Sequence, residues 1–339
     1  MNITKYTTLW FRLLKIAGRL LVGFALAGLA VWCTMAICFS NLPAGWARTL
    51  VAVGFALGTF VVFVRVRPPW LARLVFLAAA AAVVVWFLLI PPSNDRDWQP
   101  DVALLPFAEI GQDQVTIHNI RNCDYRSETD YTVRHYDKTF DLGRFKSVDF
   151  YVVYWGSPMI AHTMLSFGFD DGNYVCFSIE TRKEKGETYS AIKGFFRQFE
   201  LAYVIGDERD LVRLRTNLRG EQVYLYRLAV DVGVAKSVFL DYLREVNRLK
   251  DHPEWYNALT SNCTTNIRGH TKPYTKNAHF DWRILLNGHI DKMAYERKTL
   301  DQTLPFPQLK ARSLINDLAK AADADPAFST RIREGLPGF

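Results

Sequence analysis

The segment 255–267, WYNALTSNCTTNI, sets one cysteine, Cys263, directly behind Thr260-Ser261-Asn262. Thr, Ser and Asn accept the unpaired backbone N–H groups at the start of a helix, so the pattern predicts a helix opening at Cys263. A thiol in that first turn meets the positive end of the helix dipole, which favours the thiolate, the reactive form of cysteine. The plain alternative is a small buried hydrophobe, the usual role of a free cysteine. Upstream, residues 161–180 (AHTMLSFGFDDGNYVCFSIE) read as two strands around Asp170-Asp171-Gly172. That triplet suits a three-residue loop with glycine in the left-handed region. Such a loop pairs Phe169 with Asn173, Ser166 with Cys176, Met164 with Ser178 and His162 with Glu180. A two-residue loop would slip the register by one and turn Glu180 to the other face.

Cys263 as nucleophile, His162 as base and Glu180 as the group that orients the imidazole form the constellation of covalent acyl chemistry. An imidazole can take a thiol proton near neutral pH. Against this stands a hydrogen-bonded strand histidine beside an ordinary cross-strand carboxylate. Backbone N–H groups around Cys263 would stabilise an oxyanion, with Asn262 lining that hole or orienting the base. Arg121, Tyr125 and Tyr256 are the candidates for a pocket wall.

These residues need a scaffold, and composition says where it lies. Residues 1–91 hold eight basic residues and no acidic one. The other 33 Lys and Arg face all 34 Asp and Glu, so the net charge of +7 belongs to the amino-terminal part. A nucleic-acid binder carries its positive charge on the folded domain, which excludes that class here. The apolar runs 20–39, 46–64 and 71–90 are each long enough to cross a hydrocarbon core as a helix. The first run alone, with a basic stretch before it, resembles a signal peptide; its length and the two further runs argue for retention in the membrane. Basic residues flank the first run and fill the Arg65–Arg67 loop, while 40–45 is uncharged. The positive-inside rule therefore puts the amino terminus in the cytoplasm. Everything after Pro91-Pro92 then lies outside, in the periplasm of a bacterium with two membranes.

The expected organisation is a membrane domain over 1–92, a linker over 93–100 and one soluble α+β domain over 101–339. Strands are expected over 114–125, 145–155, 211–215 and 222–226, a helix over 235–249, mostly helix from 281, and a last short turn near 328–333. Cys33 and Cys38 are packing residues of the first apolar run, and a disulfide between Cys123 and Cys176 is left open. No CxxC, HExxH, P-loop or GxGxxG occurs, so neither a metal nor a cofactor is expected.

The order of motifs SFGFDDGNYVCFSIETRKEKGETYS, FFRQFELAYVIGDERDLVRLRT and WYNALTSNCTT resembles the Lnb N-terminal periplasmic domain family, as do RNCDYR upstream and DWRILLNGH downstream. The resemblance spans roughly residues 100–335. More distantly, the arrangement is similar to circularly permuted NlpC-type papain-like enzymes, whose Cys–His pair cleaves or transfers acyl groups. The resemblance implies an α+β fold with a small antiparallel sheet and a cysteine at a helix N-terminus, and it carries the nucleophile onto Cys263 and the base onto His162. It implies a periplasm-facing cysteine acyltransferase moving an acyl chain from phospholipid to a lipoprotein amine. One departure bears on the substrate: the family's lipoprotein acyltransferase has its membrane helices after the periplasmic domain, whereas here they precede it. The other readings are a cysteine amidase or peptidase acting on cell-wall peptides, and a non-catalytic membrane-anchored scaffold. The implied partners are membrane lipid and either lipoproteins or cell-wall peptides.

Overall fold

The computed structural model describes residues 3–275, 279 and 281–339. The chain divides into two compact units, Met1–Pro91 with Phe196–Gln198, and Pro92–Phe195 with Phe199–Phe339.

The first unit contains α1 (Ile3–Cys38), α2 (Gly45–Arg65) and α3 (Pro69–Leu89). All three are long and apolar enough to cross a membrane. Helix α1 starts well before residue 20, because the basic flank with Arg12, Lys15 and Arg19 continues the same helix. Pro69 opens α3, where a missing amide costs no hydrogen bond. Phe76, Ala80, Val83 and Phe87 form the buried stripe of α3 at helical spacing.

The second unit is built on a sheet whose strands are β1 (Phe107–Ile110), β2 (Gln114–Arg121), β5 (His135–Asp141), β6 (Phe145–Tyr154), β7 (Ala161–Phe169), β8 (Tyr174–Arg182), β9 (Glu200–Gly206) and β10 (Gln222–Arg227). Their order is β1-β2-β9-β8-β7-β6-β10, with β5 also on β2. A separate antiparallel pair joins β3 (Asp124–Tyr125) to β4 (Tyr131–Thr132). The α+β class is therefore as expected, but the main sheet is larger than expected and mixed, since β2 and β9 run parallel at Arg121 and Gly206. The β7–β8 hairpin takes the three-residue register, with Met164 opposite Ser178 and Ser166 opposite Cys176. The Phe169 N–H donates to the Asn173 carbonyl, and Gly172 sits at φ 81°.

Each face of the sheet has its own core. On one face lie Leu165, Phe167 and Phe177 under α5 (Val232–Asp251), where Phe239 meets Phe145, Phe167, Phe169 and Phe177 at centroid distances of 5.0–6.0 Å. On the other lie Tyr151, Met164, Cys176 and Val204 under α4 (Glu208–Arg213) and two short later helices, Asn316–Ala321 and Phe328–Arg331. Two-residue alternation along β7 and β8 assigns odd positions to the first face and even positions to the second.

Two sequence expectations change here, and one open question closes. Residues 211–215 are helical, not a strand: Asp207 caps α4 by accepting the Arg209 N–H, Glu208 and Asp210 suit the positive end of its dipole, and a π-turn continues to Leu218. The stretch 93–100 is not a free linker. Asn94 donates to the Leu249 and Lys250 carbonyls, the Gln99 N–H donates to the Lys183 carbonyl, and Trp98 is buried. Cys123 and Cys176 are free thiols in different clusters, so no disulfide joins them.

Candidate functional site

Helix α6 (Cys263–Thr271) begins at the predicted residue. Asn262 is its N-cap: Oδ1 accepts the Thr265 N–H at 3.0 Å, and Thr265 Oγ1 accepts the Asn262 N–H at 2.8 Å, a closed capping box. The other end of the Asn262 amide donates to the Ala258 carbonyl. Both ends of this side chain are thus committed to shaping the turn that presents Cys263. Cys263 is 7 % exposed and packs with Tyr242 and Tyr256 in the core on the α5 face. Its Sγ has Thr264 Oγ1 as a polar neighbour at 3.8 Å. Burial, with Cys263 next in weight, pushes the Tyr256 phenol above its ordinary range.

Three side chains lock the start of α6 onto the start of β7. Thr264 Oγ1 lies 3.2 Å from Thr163 Oγ1 and accepts from Asn287 Nδ2 at 2.6 Å. The same Asn287 amide accepts the Ala161 N–H at 2.8 Å and donates to the Ala161 carbonyl at 2.6 Å. A side-chain amide here substitutes for a strand partner, beyond Met164, where the β7–β8 ladder begins. Gly288 follows because backbone passes too close for a side chain: a Cβ there would collide with the Pro158 carbonyl and Met159.

His162 is the residue before Thr163, and its side chain takes the other face. Its Nε2 lies 2.7 Å from Ser178 Oγ, and Ser178 donates to Glu180 Oε1 at 2.6 Å. The direct Nε2–Oε1 separation is 4.0 Å. The expected His162–Glu180 pairing therefore runs through Ser178. A hydroxyl has one proton, and Ser178 gives it to the carboxylate, so the neutral ring donates from Nε2 and keeps its lone pair on Nδ1. Glu180 also receives Arg215 at 2.8 Å, and Arg215 in turn reaches Glu221. Burial pulls His162 down to about 3; the Arg215 charge adds to this and Glu180 opposes it. Burial pushes the Glu180 carboxyl up, but the Arg215 charge, with His162 and Arg121 behind it, holds it below the usual carboxylate range.

The structure thus brings Cys263, Asn262 and Tyr256 together, and His162 with Glu180, while no hydrogen bond joins Cys263 to His162. Arg121 and Tyr125 stand elsewhere. Arg121 is at the far end of β9, in a two-pronged pair with the buried Asp210 at 2.8 and 2.9 Å. Tyr125 packs with Cys123 and Leu214 and lies 5.0 Å from the Tyr131 ring. Both are framework residues in this structure, not walls of the Cys263 site. Sequence reasoning passed over Ser178, Arg215 and Asn287. Ser178 shares a face with Glu180 by simple alternation and was there to be found. Arg215 was hidden by reading its segment as a strand. Among the described residues no group of three or more His, Cys, Asp and Glu side chains is arranged to hold a metal ion.

These features define an α+β domain on a chain that also carries three bilayer-long helices, with a capped cysteine helix fastened to a histidine strand. Residues 131–288 match the family model of the Lnb N-terminal periplasmic domain, the family its motifs resemble. The matched segment contains His162, Glu180, Asn262, Cys263 and Asn287, and leaves out Arg121 and Tyr125. A family of periplasmic domains together with three membrane-length helices makes this a membrane protein with a domain of periplasmic type. No curated protein and no solved structure matches the chain.

Proposed function

We propose that the second unit is a thiol-dependent acyl-transfer domain, with Cys263 as nucleophile and His162 Nδ1 as the base. The observation that carries this reading is the Thr163–Thr264 contact. It ties the residue after Cys263 to the residue after a histidine whose Nε2 is already committed through Ser178 to Glu180. Burial keeps the imidazole neutral and makes it a weak base, so it forms no ion pair with the thiol beforehand and would take the proton only in concert with sulfur attack, as substrate changes its surroundings. Of the first-turn N–H groups of α6, that of Thr265 is taken by the Asn262 cap, and those of Cys263 and Thr264 would receive the oxyanion.

In the first half-reaction the sulfur attacks the carbonyl of a phospholipid ester. A C–S bond forms, the ester C–O bond breaks, and His162 returns the proton to the departing alcohol of the lysophospholipid. In the second, an amine such as the α-amine of a lipidated cysteine attacks the thioester. The C–N bond forms, the C–S bond breaks, and the amine proton restores the thiol. With water as acceptor the same residues would serve an amidase or peptidase of the periplasm. The orientation that puts this domain outside the cytoplasm rests on the basic flank of α1 and the Arg65–Arg67 loop.

A second reading is favoured by one observation: the His162 side chain takes the face of β7 opposite to Thr163 and Cys263, and the two make no hydrogen bond to each other, as in a non-catalytic scaffold. Acyl transfer through His162 requires its side chain to come round the start of β7, ahead of Met164 where the β8 ladder begins, when substrate binds. Mass spectrometry of the detergent-purified protein with phospholipid separates the two. The transferase gives a one-acyl adduct on Cys263 that hydroxylamine removes and that His162→Ala fails to form. No adduct, with Cys263 inert to iodoacetamide near neutral pH, refutes covalent catalysis. Release of cleaved muropeptides without lipid turnover would select the hydrolase.

A further inference from the structure

Two loops of the second unit, 189–195 and 257–261, are joined by a hydrogen bond from the Ala258 N–H to the Gly194 carbonyl at 3.0 Å. Gly194 is where they touch, since a Cβ there would stand 3.3 Å from Ala258 and 3.4 Å from the Tyr256 ring. On the first loop Tyr189, Ile192 and Phe195, spaced three residues apart, are 43–53 % exposed. The 3₁₀ turn Lys193–Phe195 holds the last two on one side. The second loop presents Leu259, also exposed, four residues before Cys263. We propose that these two loops seat in the headgroup layer of a lipid bilayer, which brings the turn leading to Cys263 to the membrane surface.

Single exposed apolar side chains are ordinary on a domain surface. The chain itself indicates what covers these four. Residues 196–198, next after Phe195, belong to the compact unit of the three membrane-length helices. Phe196 is buried there against Trp32, Phe39 and Phe87 at ring distances of 5.3–6.5 Å. Arg197 donates to the Leu88 and Ile90 carbonyls and Gln198 to the Phe39 carbonyl, groups in the last turn of α3 or just past the ends of α1 and α3. The ends of bilayer-long helices lie at headgroup level. Phe195 is one Cα step, about 3.8 Å, from Phe196. Composition suits that level: the charges over 188–199 are Lys193 and Arg197, both basic, which can face lipid phosphates while the apolar side chains go deeper. The proposal does not rest on acyl transfer at Cys263 and holds equally for a scaffold.

The test is photocrosslinking of the full-length protein in vesicles of phosphatidylethanolamine and phosphatidylglycerol, with benzoylphenylalanine placed at Ile192, at Leu259 or, as control, at Val230. Val230 is likewise exposed and precedes α5, whose other end, about 30 Å away, carries the Leu249 and Lys250 carbonyls that hold Asn94. Lipid adducts, read by mass spectrometry, should form at Ile192 and Leu259 several-fold above Val230, and equally in a Cys263→Ala background. Should the Ile192 variant fold poorly, Phe195 on the same loop takes its place with the same expectation. Adducts no more frequent than at Val230 overturn the proposal. So does a crosslinked dimer in place of the lipid adduct, which would assign the loops to a second copy. Lipid adducts without any thioester on Cys263 would fault the chemistry and leave the membrane contact standing.

Discussion

Asn287→Ala is the substitution whose cost follows most directly from the geometry. It removes the hydrogen bond from the Ala161 N–H, the one to the Ala161 carbonyl and the one to Thr264 Oγ1. Thr264 keeps Thr163 as a partner, but Ala161, 1 % exposed, is left with two backbone groups lacking Asn287. An unsatisfied buried group costs about 1–3 kcal/mol, so the expected loss is about 3 kcal/mol. For a unit of this size each kcal/mol lowers Tm by about 2–4 °C, giving a drop of roughly 6–12 °C. The assay is thermal unfolding of the detergent-purified protein followed by tryptophan fluorescence, with a urea series for the free energy. Asn287→Asp keeps the acceptor for the Ala161 N–H but sets a carboxylate against the Ala161 carbonyl, and should be at least as damaging. Because Asn287 fastens the first turn of α6, alkylation of Cys263 by iodoacetamide should also quicken in both variants. A Tm for Asn287→Ala within about 1 °C of wild type would refute the idea that this amide replaces a strand partner.

Other consequences follow from the same network. Arg333 is buried between Asp149 at 2.8 Å and Glu208 at 2.6 Å; Asp149 keeps Arg227, but Arg333→Met leaves Glu208 buried with no counter-charge and should cost about 3–5 kcal/mol in urea unfolding. Adding Glu208→Gln should recover part of that loss. Asn262→Ala removes the cap of α6 and should cost about 0.5–2 kcal/mol, with Asn262→Ser closer to wild type. For His162, the folded value near 3 lies below the unfolded value of about 6.5, so the unfolded chain binds a proton that the folded chain refuses. Its contribution is full above about pH 6.5 and fades as pH falls towards 3. Wild type should therefore lose stability between about pH 6.5 and 5, and His162→Gln should flatten that slope; equal slopes would rule out a buried neutral imidazole.

How much of this was legible beforehand differs element by element. The three membrane helices were, since an uninterrupted apolar run of bilayer length has one stable solution in a membrane. The β7–β8 register was as well, because Asp170-Asp171-Gly172 sets the turn and the turn sets the pairings from Gly168–Tyr174 to Met164–Ser178; the ladder stops short of His162 and Glu180. The start of α6 followed from Thr260-Ser261-Asn262, as capping is a matter of a few neighbouring residues. Residues 211–215 were misread because apolar alternation over so short a stretch suits a strand as well as a helix.

What tertiary structure alone decided is the relation between elements. Alternation says that His162, Ser178 and Glu180 share a face, but not which face a helix from residue 263 onward packs against. That choice put Thr163, not His162, against Thr264. It also brought Arg215 to Glu180, Asn287 to Ala161 and Arg333 to Glu208, partners far apart in the chain. Local propensity fixes an element over a few residues. A buried charge or an orphaned backbone amide is satisfied by whatever the whole fold brings within 3 Å, and no local pattern encodes that.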